Sequence, residues 1–199
     1  MVDVRRGAEG NERLTAASGA ALFLLLAAEG VTILSIRQLL SPHVFIGMLL
    51  VPPVLLKLGS TGWRFFRYYT GSSEYRAKGP PLLPLRLLAP VVVASTLAVF
   101  ASGMALLALG PGRGHGIVLG LHKATFVVWL VATGIHVLAY VRRVPGLTAA
   151  DWRAGRGGID GSLARRAVLG ATVVAGAILA VATLRYAAPW THWAGAGDH

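Results

Sequence analysis

His122 and His136 lie fourteen positions apart inside one apolar stretch, Ile117 to Val141. At a rise of about 1.5 Å and roughly 100° per residue, fourteen steps advance ~21 Å and return to within about 40° of the same helical face. The two imidazoles therefore point one way at two depths. An imidazole at membrane depth is costly without a partner, and intramembrane ionisable residues are functional candidates by default. Haem iron, which takes axial histidine ligands, is the partner that best accounts for two of them on one face.

His43 opens another apolar stretch, two spans earlier. Alternate spans run in the same direction, so His43 and His122 can face each other at one depth. That supplies two neutral nitrogens from different helices, on opposite faces of a planar macrocycle set edgewise in a bundle. Fourteen residues on from His43 comes Lys57. A second layer would thus pair Lys57 with His136. As an iron ligand the Lys57 amine must be deprotonated; otherwise it snorkels to the nearby surface or contacts a propionate or a quinone. Met48 and Met104 are weaker ligand candidates and suit gap-filling. His115, His192 and His199 fall in an outer loop and the tail, where no ligand is expected.

The elements that must hold these residues are membrane helices. The chain has 199 residues, 55% hydrophobic and only 14% charged, a composition foreign to an ordinary soluble domain. Five stretches reach the roughly 20 apolar residues needed to cross a hydrocarbon core: Leu14 to Ile36, Val44 to Phe66, Leu87 to Leu109, Ile117 to Val141 and Ala167 to Arg185. The expected fold is an all-α polytopic bundle, a single integral membrane domain over 1–199, with a four-helix haem-binding core and the fifth helix flanking it. The first stretch exceeds a signal-peptide core, and Asp3, Glu9 and Glu12 precede it, so it is expected to be retained. Pro52 and Pro53 should kink the second helix. The Gly-rich loop from Arg142 to Leu163 holds at most one short helix, near Thr148 to Arg153. The absence of cysteine excludes iron–sulfur ligation, thiolate ligation and covalent haem attachment through Cys.

The net charge of +11 is distributed as topology and not as a nucleic-acid surface. Arg5, Arg6 and Arg13 precede the first span; Arg64, Arg67, Arg76, Lys78 and Arg86 surround the second loop; Arg142, Arg143, Arg153, Arg156, Arg165 and Arg166 fill the fourth. The positive-inside rule then puts the N-terminus in the cytoplasm and the C-terminus outside, in the inner (plasma) membrane. Lipid is the first partner, with some anionic headgroup contact.

Other residues bear on the same site. Glu29, a carboxylate in the first span, either relays protons, binds a quinol hydroxyl, or makes a structural hydrogen bond to a neighbouring helix. Trp129, midway between His122 and His136, packs between two haems or fills the space beside one. Arg37, Arg113 and Lys123 gather at the outer helix ends, where guanidinium and ammonium groups suit propionates or simply anchor the interface. Trp63, Arg64, Arg67, Tyr68 and Tyr69 form an aromatic and basic girdle at the inner boundary.

The helix carrying Leu121-His122-Lys123 and Thr133-Gly134-Ile135-His136, with His43 and the run Lys57-Leu-Gly-Ser-Thr-Gly-Trp-Arg-Phe-Phe-Arg-Tyr-Tyr69, resembles the membrane cytochrome b superfamily. The likeness covers the second to fourth spans, about half the chain. It is nearest to small subunits that relay electrons between a quinone pool and an oxidoreductase. The resemblance implies haem b, one or two per chain, with His43, His122 and His136 as metal ligands and Lys57 departing from the fourth ligand position. It also implies a quinone or an oxidoreductase subunit as partner, and an electron-transfer subunit more than a stand-alone enzyme; no catalytic residue is assigned. The competing expectation is a haem-free transporter or anchoring subunit in which Glu29, Lys57 and His136 form a buried proton or ion relay.

Overall fold

The computed structural model describes residues 5–77, 79, 82–112, 114–140 and 161–195. Five helices in it are long and apolar enough to span a membrane. They are α1 (Arg5–Leu34), α2 (Leu40–Tyr69), α4 (Leu83–Leu109), α5 (His115–Tyr140) and α6 (Ser162–Thr183). A five-residue helix α3 (Ser73–Ala77) follows α2, and a 3-10 turn (Leu184–Ala187) joins α6 to α7 (Ala188–Gly195). Among the described residues there is no strand. The chain is therefore the all-α, multi-pass helical bundle that its composition dictates. The segment expected to hold a short helix at Thr148 to Arg153 lies outside the described residues.

Helix ends differ from the apolar windows for a simple reason. Hydrophobicity marks the part of a helix that lipid covers, whereas backbone hydrogen bonding continues into polar sequence. So α1 begins at Arg5 and α2 runs on to Tyr69 through the basic girdle. Helix α2 is continuous across Pro52 and Pro53, and Pro53 is fully buried. Helix α4 carries proline in its first turn, where the missing N–H costs nothing. It ends at Gly110, whose φ of 67° favours glycine.

Packing divides the spans into two groups. Helices α1 and α6 both lie along α2, and α4 packs almost entirely on α5. Between the groups, α2 touches α4 only slightly. The fifth span is thus no mere flank. Gly176 of α6 lies so close to α2 that a Cβ there would overlap the Leu49 carbonyl, and Ala180, one turn on, is fully buried. Close backbone approach through small residues is the usual way membrane helices gain van der Waals contact. At the other end of the bundle the Glu74 carboxylate of α3 accepts a hydrogen bond from the Ala8 N–H, tying the α2–α4 connection to the start of α1.

The residues shielded inside are small and often polar: Ser18, Thr32, Ser60, Ser95, Thr96 and Ser102 are all buried. Leu24, Leu55, Leu87, Val131, Leu138 and Val181 are exposed on the flanks, as expected where lipid tails take the place of a protein core.

Candidate cofactor-binding site

His43 stands in the first turn of α2 and turns its Nδ1 toward α1. That nitrogen is 2.9 Å from Glu29 Oε1 and 3.0 Å from Thr32 Oγ1. The Thr32 hydroxyl donates to the Glu29 backbone carbonyl at 2.6 Å, so its lone pairs remain for the ring. In a neutral imidazole this network places the proton on Nδ1 and the lone pair on Nε2.

His122 does the same on the other group of helices. Its Nδ1 is 3.1 Å from the Val99 carbonyl and 3.0 Å from Ser102 Oγ. Ser102 itself donates to the Ala98 carbonyl at 2.7 Å. A carbonyl only accepts, so Nδ1 carries the hydrogen here too, and Nε2 keeps its lone pair. Gly103 makes the approach possible: a Cβ at that position would stand 3.2 Å from His122 Cε1. His43 lies within electrostatic reach of His122. Among the described residues neither Nε2 has a hydrogen-bond partner.

The second layer is built differently. Lys57, half-buried, donates from Nζ to the Thr15 carbonyl of α1 at 2.6 Å, and Gly19 leaves the room it occupies, since a Cβ there would sit 3.1 Å from Nζ. Ser60 extends this contact, with Thr15 donating to its Oγ at 3.0 Å and Asn11 Nδ2 donating to its carbonyl at 3.0 Å. Lys57 is therefore held in the α1–α2 seam by helix α1, in contrast to a chain that reaches freely for the membrane surface. His136 lies within electrostatic reach of Lys57 and packs 5.0 Å from the Tyr140 ring. Among the described residues its buried Nδ1 has no hydrogen-bond partner, and neither has the buried Thr133 Oγ1 one turn earlier.

Helix α4 supplies the partners of the outer ring. In the α4–α5 pair His122 meets Ser102 and Val99, and Trp129 donates from Nε1 to Thr96 Oγ1 at 3.1 Å. Trp129 is thereby committed to α4.

Arg37 and Lys123 are both exposed at the His43 end; Arg113 lies outside the described residues. Met48 is buried and Met104 exposed, and neither joins the histidines. The hydroxyls that set the rings, Thr32 and Ser102, carry no mark in the sequence, although Ser95 and Ser102 repeat the seven-residue spacing of His122 and Trp129. A separate aromatic cluster is equally unmarked. His115 lies 5.5 Å from Trp190 and 5.0 Å from Trp193, clasping the start of α5 to α7.

The residues brought together restrict what the site could hold. Among the described residues no three His, Asp or Glu side chains gather as a metal cage. A bare ion held by the protein alone would need about four ligands. Two preset imidazoles suffice when a macrocycle supplies the other four nitrogens. No family model, curated protein or solved structure matches this chain.

Proposed function

We propose that this chain is a b-type haem protein of the membrane that carries electrons between a quinone pool and a partner oxidoreductase. The observation that carries the reading is the matched state of His43 and His122. Each comes from a different helix group, and each spends its Nδ1 on an acceptor of its own group, so that Nε2 is the nitrogen left to ligate. Metal-binding histidines are characteristically fixed in this way, because the second nitrogen's hydrogen bond sets tautomer and ring orientation.

Haem bound there would supply one-electron chemistry. The residues do the rest. Glu29 and Val99 hold the two rings, Gly103 admits His122 close to α4, and the slight contact between α2 and α4 leaves the two groups free to close on a planar guest. Arg37 and Lys123 suit the charge of propionates at the exposed end. Lys57 and His136 serve other work, a polar contact to quinone or structure, and the site holds one haem. With basic residues before the first span and in the second and fourth loops, the chain sits in the inner membrane, N-terminus in the cytoplasm.

The test is reduction of the purified, detergent-solubilised protein. A reduced-minus-oxidised spectrum with sharp b-type bands, and reduction by a short-chain quinol, are expected. A well-folded protein with no such spectrum after expression with ample haem rules the reading out and leaves an ion relay through Glu29, Lys57 and His136.

A further inference from the structure

The two rings of the outer layer are held by acceptors of different charge. His122 donates to a neutral backbone carbonyl. His43 lies against a carboxylate at 2.9 Å. That carboxylate is itself tightly placed: its side chain is only 13% exposed, Thr32 Oγ1 lies 3.4 Å from Oε2, and Gly47 of α2 faces Oε1 across the seam, where a Cβ would come to 3.6 Å. A carboxylate in an apolar span is retained only with a partner, and here the partner is an imidazole on another helix.

Resting on the haem reading above, we propose that Glu29 is the positioning residue that would make His43 the stronger donor of the two imidazoles toward a bound haem. A carboxylate on the Nδ1–H of a ligating histidine fixes the ring and raises its donor strength. A stronger donor favours the more highly charged ferric iron, so Glu29 would bias a bound haem toward the oxidised state. The neutral acceptors at His122 give that ring orientation without the same electronic push. Glu29 thus belongs to the tuning of the centre and is not a relay in its own right.

The measurement is a redox titration of the haem-loaded full-length protein, with low-temperature EPR of the ferric form, for the natural chain, Glu29→Gln, Glu29→Asp and the control Glu9→Gln. The Glu29→Gln change keeps a hydrogen-bond acceptor but removes the charge. The expected result is an upward shift of the midpoint potential, on the order of a tenfold change in the ferric-to-ferrous ratio at fixed ambient potential, or ~59 mV for one electron. The EPR g-values should move with it. The Glu29→Asp change keeps the charge on a shorter stem and should shift the potential the same way by less. Glu9, which pairs with Arg13 at 3.3 Å a long way along α1, should leave the potential in place when neutralised. Haem-loaded Glu29→Gln with unchanged potential and g-values overturns the inference while leaving the haem reading intact. Absence of haem from the natural chain overturns the haem reading itself.

Discussion

The two polar layers of this bundle use similar residues at the same fourteen-residue spacing, and they end up in opposite states. At the His43 end both imidazoles have their Nδ1 satisfied and their Nε2 spare. At the Lys57 end the amine is bound to a backbone carbonyl of α1, and His136 has a buried Nδ1 without a partner among the described residues. Spacing alone would make the layers equivalent. The neighbouring helices separate them: α1 offers Glu29 and Thr32 to one level and the Thr15 carbonyl to the other, and α4 offers Ser102 and the Val99 carbonyl to the outer ring. A ligand is defined as much by what holds its far side as by its own identity.

The comparison breaks most sharply through the histidines themselves. His43→Ala or His122→Ala should abolish haem binding, whereas His136→Ala should retain it; haem-to-protein ratios after purification decide the matter. Equal loss in all three would make the layers equivalent after all. Next in size is Gly103→Ala. The added methyl would press on His122 Cε1, and a displaced ring should weaken haem retention by roughly 10 to 100-fold, the usual scale for disturbed support of a metal ligand, read by haem transfer to apomyoglobin. Ser102→Ala should cost about tenfold or less, because the Val99 carbonyl still holds Nδ1.

A smaller effect sharpens the inner layer. Lys57→Met removes a hydrogen bond to the Thr15 carbonyl, and should lower stability by about 1 to 2 kcal/mol with haem content unchanged, as followed by thermal unfolding in detergent. Loss of haem in Lys57→Met would return the amine to the ligand set.

Much of this was legible in the sequence. Five apolar windows give five helices, because lipid leaves a spanning segment few other ways to satisfy its backbone. His43, His122, Lys57 and His136 are marked by type and spacing alone, and their two levels follow from helical geometry. The far-side partners were not legible. Glu29 is visible as an odd carboxylate, but its pairing with His43 depends on how α1 and α2 slide past one another, which no single helix encodes. Ser102 and Thr32 look like ordinary small polar residues until the neighbouring helix is in place. The fifth span carries no ligand and so reads as a mere flank; Gly176 and Ala180 show that its contribution is close packing against α2.

The most direct test of the account is the pyridine haemochrome of the purified natural chain, normalised to protein concentration and set beside His136→Ala. The account predicts one haem b per chain in both. Two haems per chain falling to one on loss of His136 would contradict it, since the inner layer would then be a ligand pair despite its unpartnered Nδ1; none in either would remove the haem altogether.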